Sequence, residues 1–317
     1  CQGGSHKMAN SLVREFIRAG GLVLDSSQVN DIVIKDGSVA GVELWEDRAL
    51  HTNCVISTLD PHTTFLDLVG AENLPEDLKH SVEGWHYDKW SFNTLHVVSE
   101  EMPRYLPKDP WASEALMTII GFESTDQMLE HWDNVVEGRI DPNNLGGHAT
   151  CESFWDSHLV RVQPSRAHRQ VSFFQMHAPY NLQGGWEQQG PEIEQAMLAK
   201  WAKYAPNMKK ENIVQTNQET PVDIEVRLPN MRYGSIKHGD YRPIQVGCFR
   251  PNQECSGTNT PINGLYTAGA STYPGGCVLG GGGYLAAGKV AEDMGVAKWW
   301  KPTTEMEKYM KTYLEGT

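Results

Sequence analysis

The sequence predicts an α/β protein of two domains. Three observations predict it. Residues 1–70 read as an amphipathic helix and then a small β-meander. The middle differs in character, with 85–100 rich in aromatic and β-branched residues. Residues 264–294 run from a short apolar strand through a glycine-dense loop into a helix. The first and last stretches, 1–70 and 231–317, are expected to meet in one domain. The middle, 71–230, is expected to form an α+β domain with a mixed or antiparallel sheet.

The elements follow in order. Ser5 is placed to cap a helix whose apolar residues Met8, Leu12, Val13, Phe16 and Ile17 share a face, and Gly20 and Gly21 stop it. Residues 22–24 make a short strand candidate. Residues 29–34 and 39–44 read as strands joined at Asp36-Gly37, a pair that favours a tight hairpin turn. Residues 54–57 give another short strand. In the middle, 85–100 is rich in aromatic and β-branched residues, and 171–176 is a strand candidate. Ser124 and Gln127 form a capping pattern before Met128, Leu129 and Trp132. Pro191 suits the first turn of a helix carrying Ile193, Met197, Trp201 and Tyr204. A helix from about 284 to 294 and a final amphipathic one through Met306, Tyr309 and Met310 complete the chain.

Composition narrows the function. The 317 residues carry a net charge of -13, which argues against a nucleic-acid partner, because phosphate binding needs a basic footprint. No apolar run approaches the roughly 18 residues of a spanning helix, and no signal-peptide pattern is present. The six cysteines form no CxxC pair and read as reduced thiols, which suits the cytoplasm. His148 and Cys151 have a spacing that could hold a metal, but no second pair accompanies them, so no metal is expected. All tryptophans but the last two lie between Trp45 and Trp201, where most serve as packing; such a set can also wall a pocket for a bulky apolar ligand. No GxSxG, HExxH or paired-carboxylate motif is present.

The strongest chemical signal is Thr267 to Lys289. A strand delivers the chain to a loop nearly devoid of side chains, and the loop opens a helix. Free N–H groups at a helix start, with its dipole, favour an anionic or electron-rich oxygen. Glycine and alanine let a flat ring or a diphosphate reach the backbone. The order is neither GxGxxG nor GxxxxGK[ST], so the segment is not a primary nucleotide fingerprint.

The stretch "GLYTAGASTYPGGCVLGGGGYLAAGKVAED" resembles the C-terminal flavin-binding signature of the phytoene desaturase family of FAD-dependent oxidoreductases. "GGSHKMANSLVREFIRAGG", "SSQVNDIVIKDGSVAGVEL", "NCVISTLDPHTTFLDLVG", "ETPVDIEVRLPNMRYGSIKHGD" and "FRPNQ" resemble further parts of the same family in the same order. The resemblance implies an incomplete FAD-binding domain, Rossmann-like and of the GR2 type, beside a substrate domain. It implies that Gly269, Ala270, Gly275, Gly276, Cys277, Val278 and Leu279 lie along the flavin and that the backbone of Val29 meets the adenine. It implies an oxidoreductase (a dehydrogenase, desaturase or isomerase) that moves a hydride between flavin and a C–C bond of an apolar small molecule. An apolar substrate makes peripheral membrane contact reasonable.

Three departures qualify the resemblance. Tyr273 stands before Pro274 where the family has histidine; a tyrosine donates a hydrogen bond but cannot serve as a histidine-like base near neutral pH. It is the first candidate for a residue beside the reacting carbon, and His238 in "SIKHGD" is the second, as a polar contact near the substrate. Cys277 replaces a usual glycine and is expected to pack as a small apolar group. No strand–GxGxxG–helix unit, which takes about 30 residues, precedes Ser5. With Cys1 rather than methionine at the start, a processed product, a fragment or part of something longer is expected, and a second polypeptide bearing the GxGxxG half is the favoured partner. Two other readings stay open: a noncatalytic scaffold that keeps the fold without flavin, and an amine-oxidase-like enzyme with FAD attached at Cys277.

Overall fold

The structure is a computed structural model that describes residues 2–106, 110–160, 169–276, 280–298 and 300–313. The chain divides into two compact units: Cys1–Ser27 with His86–Asp240, and Gln28–Trp85 with Tyr241–Thr317. The sequence reading put its divisions at 70/71 and 230/231; the units divide at 27/28, 85/86 and 240/241.

The first unit is built on a five-stranded sheet in the order β6-β7-β8-β5-β9. Its strands are β5 (Trp90–Ser99), β6 (Thr118–Ile120), β7 (Gly147–Thr150), β8 (Gln170–Pro179) and β9 (Ile213–Glu219). Every pairing is antiparallel, one of the two arrangements expected. Alternation sorts the two faces. Asn93, Leu95 and Val97 of β5 and Phe174 and Met176 of β8 are buried with Ile193, Met197 and Trp201 of helix α5 (Trp186–Tyr204). Each large apolar side chain so buried contributes roughly 1.5–3 kcal/mol. The other face carries Phe92 opposite His177 and Thr94 opposite Gln175. Helices α3 (Thr125–Val136), α4 (Glu152–Trp155) and α6 (Pro221–Arg227) complete this unit with α1 (His6–Arg18).

Local expectations meet different fates. Helix α5 begins five residues before Pro191, so the proline lies inside it, not in its first turn. Ser124 caps α3 as expected, its Oγ accepting from the Gln127 N–H at 3.3 Å. Ser5 makes no capping bond. Instead the Asp156 carboxylate accepts from the N–H groups of Gly3 and Gly4, at 2.5 and 3.2 Å. The end of α1 is as expected: Gly20 N–H donates to Ile17 and Gly21 N–H to Phe16, with Gly20 at φ +93°. Residues 22–24 form no strand and are largely exposed, because a strand requires a hydrogen-bonded neighbour.

The second unit opens with a three-stranded antiparallel meander, β1 (Val29–Lys35), β2 (Ser38–Leu44) and β3 (Arg48–His51). Asp36 and Gly37 join β1 to β2 with φ of +51° and +71°, both in the left-handed region that a two-residue hairpin turn of this kind requires. Strand β4 (Val55–Ser57) then pairs in parallel with β10 (Leu265–Thr267). A π-helical segment (His62–Gly70) and helix α2 (Glu76–Glu83) cover a core that includes Phe65, Val69, Leu78 and Leu265. Helices α7 (Gly281–Asp293) and α8 (Thr304–Tyr313) end the chain.

Candidate functional site

Two parallel strands, β4 and β10, deliver the chain to one sheet edge, and the loop after β10 leads into the start of α7. In open α/β sheets ligands bind beyond the carboxyl ends of parallel strands. The loop is held by its own hydrogen bonds. Ala268 N–H donates to Ser57 O at 2.8 Å. Thr272 donates to Gly269 O from its N–H at 3.0 Å and from its hydroxyl at 2.7 Å. Gly275 N–H donates to Thr272 O at 2.7 Å.

The glycines of this segment have two separate causes. A Cβ on Gly269 would run into the Thr58 carbonyl. One on Gly282 would lie 2.7 Å from Ala268 O and 2.9 Å from Thr272 Oγ1, and one on Gly281 would lie 2.8 Å from Pro274 Cδ. These positions are glycine because the chain packs on itself. Gly283 differs: a Cβ there meets nothing within 4 Å, and its φ is not in the left-handed range. Its backbone is exposed in the first turn of α7, where N–H groups have no partner within the helix. The helix starts at Gly281, three residues before the position read from the sequence, so this first turn is all glycine.

The loop has a buried cation behind it. Arg250 is 1% exposed. Its Nε donates to Ala270 O at 3.2 Å and its Nη1 to Gln245 O at 2.8 Å. The guanidinium also sits 4.7 Å from the ring centre of Tyr241 and 5.5 Å from that of Trp85. Sequence reasoning missed this residue; "FRPNQ" carried only a resemblance, and nothing local marks an arginine as buried. At the far end of α7, Tyr266 donates to Asp293 at 3.0 Å. Burial first, and then this carboxylate, push its phenol up to about 12.

The sequence-predicted residues fall as follows. Val29 opens β1 opposite Leu44 and is half-buried. Gly269 and Ala270 are half-buried in the loop, Gly275 and Gly276 follow in its second half, and Tyr273 is 49% exposed. All six belong to the second unit. Cys277, Val278 and Leu279 lie outside the described residues. His238 belongs to the first unit and is 4% exposed, at φ +54°. Its Nε2 accepts from Asn230 Nδ2 at 3.0 Å, and its backbone N–H donates to Ser235 O at 3.0 Å. The structure therefore sets it within a tight turn. Among the described residues no three His, Cys, Asp or Glu side chains are grouped to hold a metal, and no helix is long and apolar enough to cross a membrane. Cys151 instead lies 3.8 Å from both Ser153 Oγ and Gln170 Oε1.

No family model matches the chain. It is 32% identical to one of the named subunits of the limonene dehydrogenase of Castellaniella defragrans, over 96% of this chain and 57% of that protein. It is 24% identical to a lycopene-forming phytoene desaturase of Pseudescherichia vulneris, over 88% of this chain and 53% of that one. The chain thus spans about half the length of the curated relatives it matches. In fold it is similar to an oxidoreductase from Methanosarcina mazei, with a TM-score of 0.54 at 14% identity, covering 92% of this chain and 55% of that one. In sequence this chain is thus similar to a limonene dehydrogenase subunit and to the phytoene desaturases, and in fold to that oxidoreductase.

Proposed function

We propose that this chain is the substrate-binding and flavin-lining part of a FAD-dependent oxidoreductase acting on an apolar small molecule. The observation that carries the reading is the all-glycine first turn of α7, open at Gly283, beyond a parallel strand pair, on a chain similar to a limonene dehydrogenase polypeptide and to the phytoene desaturases. The residues present fit a flavin: an uncluttered backbone at Gly283 whose open space a side chain would fill, N–H donors at a helix start, and a loop fixed from behind by Arg250. Gly269, Ala270, Gly275, Gly276 and the stretch through Leu279 would hold it, with Val29 toward the adenine. Bound FAD would supply a hydride acceptor, and the protein's task is binding, orientation and exclusion of water. Tyr273 offers a hydroxyl donor at the ring, and His238 a polar contact on the substrate side. Functionally, residues 1–70 and 231–317 serve the flavin and 71–230 the substrate.

The ADP part of FAD is expected to need a GxGxxG unit, and we propose that it comes from outside this sequence, from a second polypeptide or from another part of a longer chain. Two observations favour such a partner. Leu12, Val13, Phe16 and Ile17 of α1 are 43–64% exposed on one face, and Leu22 is 83% exposed beside them in sequence. An apolar stripe of this kind marks an interaction surface. The limonene dehydrogenase relative is itself named as a subunit, which agrees with a multi-chain enzyme.

The test is native mass spectrometry and a visible spectrum of the chain purified from its own source. Noncovalent FAD together with a second polypeptide that begins with a GxGxxG unit is the expected result. A colourless chain that takes up no FAD when the partner is supplied overturns the reading and leaves the scaffold function. A flavin adduct on the peptide containing Cys277 replaces it with the covalent, amine-oxidase-like form.

A further inference from the structure

The first unit contains a cavity of about 430 Å³ that the flavin loop does not account for. Its floor is the sheet face opposite the main core, where Phe92 and His177 face each other across β5 and β8 and His148 pairs with Gln175 across β7 and β8. Its roof comes from α3, through Met128, Leu129, His131 and Trp132. Ile119 and Phe122 close one side. The rings interlock: His177 stacks on Phe92 at 5.1 Å, Trp132 meets Trp90 edge-on at 4.9 Å, and Phe122 lies 5.3 Å from His131.

Among the described residues the lining contains no carboxylate, ammonium or guanidinium. Its titratable groups are three imidazoles. Burial lowers the pKa of His131, His148 and His177, and for His177 the charges of His131, Lys237 and His148 add to the same direction. His131 is 3% exposed; its Nε2 is engaged with His177 O at 3.1 Å, and its Nδ1 makes no hydrogen bond of ordinary geometry. An aromatic cage can also attract a cation. Beside the lining, the Trp90 ring already carries Lys237 Nζ at 4.6 Å, itself paired with Asp88 at 3.0 Å, so that ring face is not open to a second cation. The same pairing leaves little net charge to draw an anion.

We propose that this cavity is a binding pocket for an uncharged, compact hydrocarbon ring system, with Gln175 and His148 able to accept one small polar substituent. A water's share of liquid volume is about 30 Å³, so the space suits a ligand of roughly ten to fifteen non-hydrogen atoms. That the ligand is the enzyme's substrate rests on the function proposed above; that the pocket binds it does not.

Naphthalene is a suitable probe, with naphthalene-1-sulfonate and 1-naphthyltrimethylammonium as charged forms of the same ring system. Binding is read on the 317-residue chain by equilibrium dialysis and by the histidine ring resonances in NMR. The expected result is that naphthalene binds and shifts the signals of His131, His148 and His177, and that both charged forms bind at least tenfold more weakly. Met128→Trp from the roof and Ile119→Trp from the side should each weaken naphthalene at least tenfold. Both sites are largely exposed, at 49% and 69%, so the fold tolerates them. Absence of naphthalene binding, equal binding of the charged forms, or unchanged affinity in both folded variants overturns the proposal. A chain that binds naphthalene but takes up no FAD when its partner is supplied would sink the flavin reading alone, and one that takes up FAD with its partner but does not bind naphthalene would sink this one alone.

Discussion

Arg250 Nε donates to the carbonyl of Ala270 at 3.2 Å, which ties a buried cation to the middle of the glycine-rich loop. Its Nη1 holds Gln245 O at 2.8 Å, so one planar guanidinium fixes two backbone segments at once. A lysine carries the same charge but cannot reproduce the fork. Arg250→Lys is therefore expected to cost about 2–4 kcal/mol of stability, read from urea unfolding. It should also weaken flavin retention about tenfold, equivalent to roughly 1.4 kcal/mol. Wild-type stability in Arg250→Lys would show that the two carbonyl bonds do not hold the loop.

Gly282 and Gly283 are neighbours with opposite expectations. Alanine at Gly282 forces its Cβ to 2.7 Å from Ala268 O, so the variant should lose about 1–3 kcal/mol. A Cβ at Gly283 meets nothing within 4 Å. Gly283→Ala should leave the melting temperature unchanged or slightly raised, since alanine favours helix over glycine by up to about 1 kcal/mol. Gly283→Val should fold normally yet weaken FAD at least tenfold in the partnered protein, because its side chain fills the space over the helix start. Normal FAD affinity in folded Gly283→Val would remove the first turn of α7 from the flavin site.

The imidazoles of the cavity give a pH signature. His131, His148 and His177 have pKa values lowered from the ordinary 6.5, chiefly by burial. A base with a depressed folded pKa is protonated first in the unfolded chain. Stability is then complete above about pH 6.5 and falls as pH drops from there toward the folded values. Affinity for a neutral ligand should hold until pH reaches the lowered folded values and fall only there. Lys237, paired with Asp88, is a charged group facing His177 and works in the same sense. His177→Phe keeps the ring and should flatten part of the profile. An unaltered slope in that variant, measured by chemical denaturation from about pH 5 to 8, would discard the assignment.

Features that depend on near neighbours in sequence were legible. Asp36-Gly37 specifies its turn through two residues that tolerate positive φ, and Gly20-Gly21 ends α1 for a related reason. The glycine-rich loop announced itself, and so did the antiparallel sheet. What required the fold is long-range. Asp156 caps the approach to α1 from 153 positions away, a role local patterning assigned to Ser5. The cavity draws on three strands and α3, so its histidines look unrelated along the chain. The glycines looked uniform, and only the surrounding atoms separate those that serve packing from the open Gly283.

The apolar face of α1 gives the last expectation. Leu12 and Phe16 are 64% and 53% exposed, one helical turn apart, and α1 has no buried residue. In the chain alone, replacing them with glutamate removes little packing, so Leu12→Glu with Phe16→Glu should change unfolding free energy by no more than about 0.5–1 kcal/mol. If the proposed GxGxxG-bearing polypeptide docks on this face, the same side chains become buried against it, and two carboxylates there would be desolvated without partners. Co-expression followed by affinity purification should recover that polypeptide with the wild-type chain and lose it with the double variant. If the chain alone unfolds on substitution, the face is covered within its own fold. If the partner is retained, it docks elsewhere and the stripe of α1 does not belong to the interface.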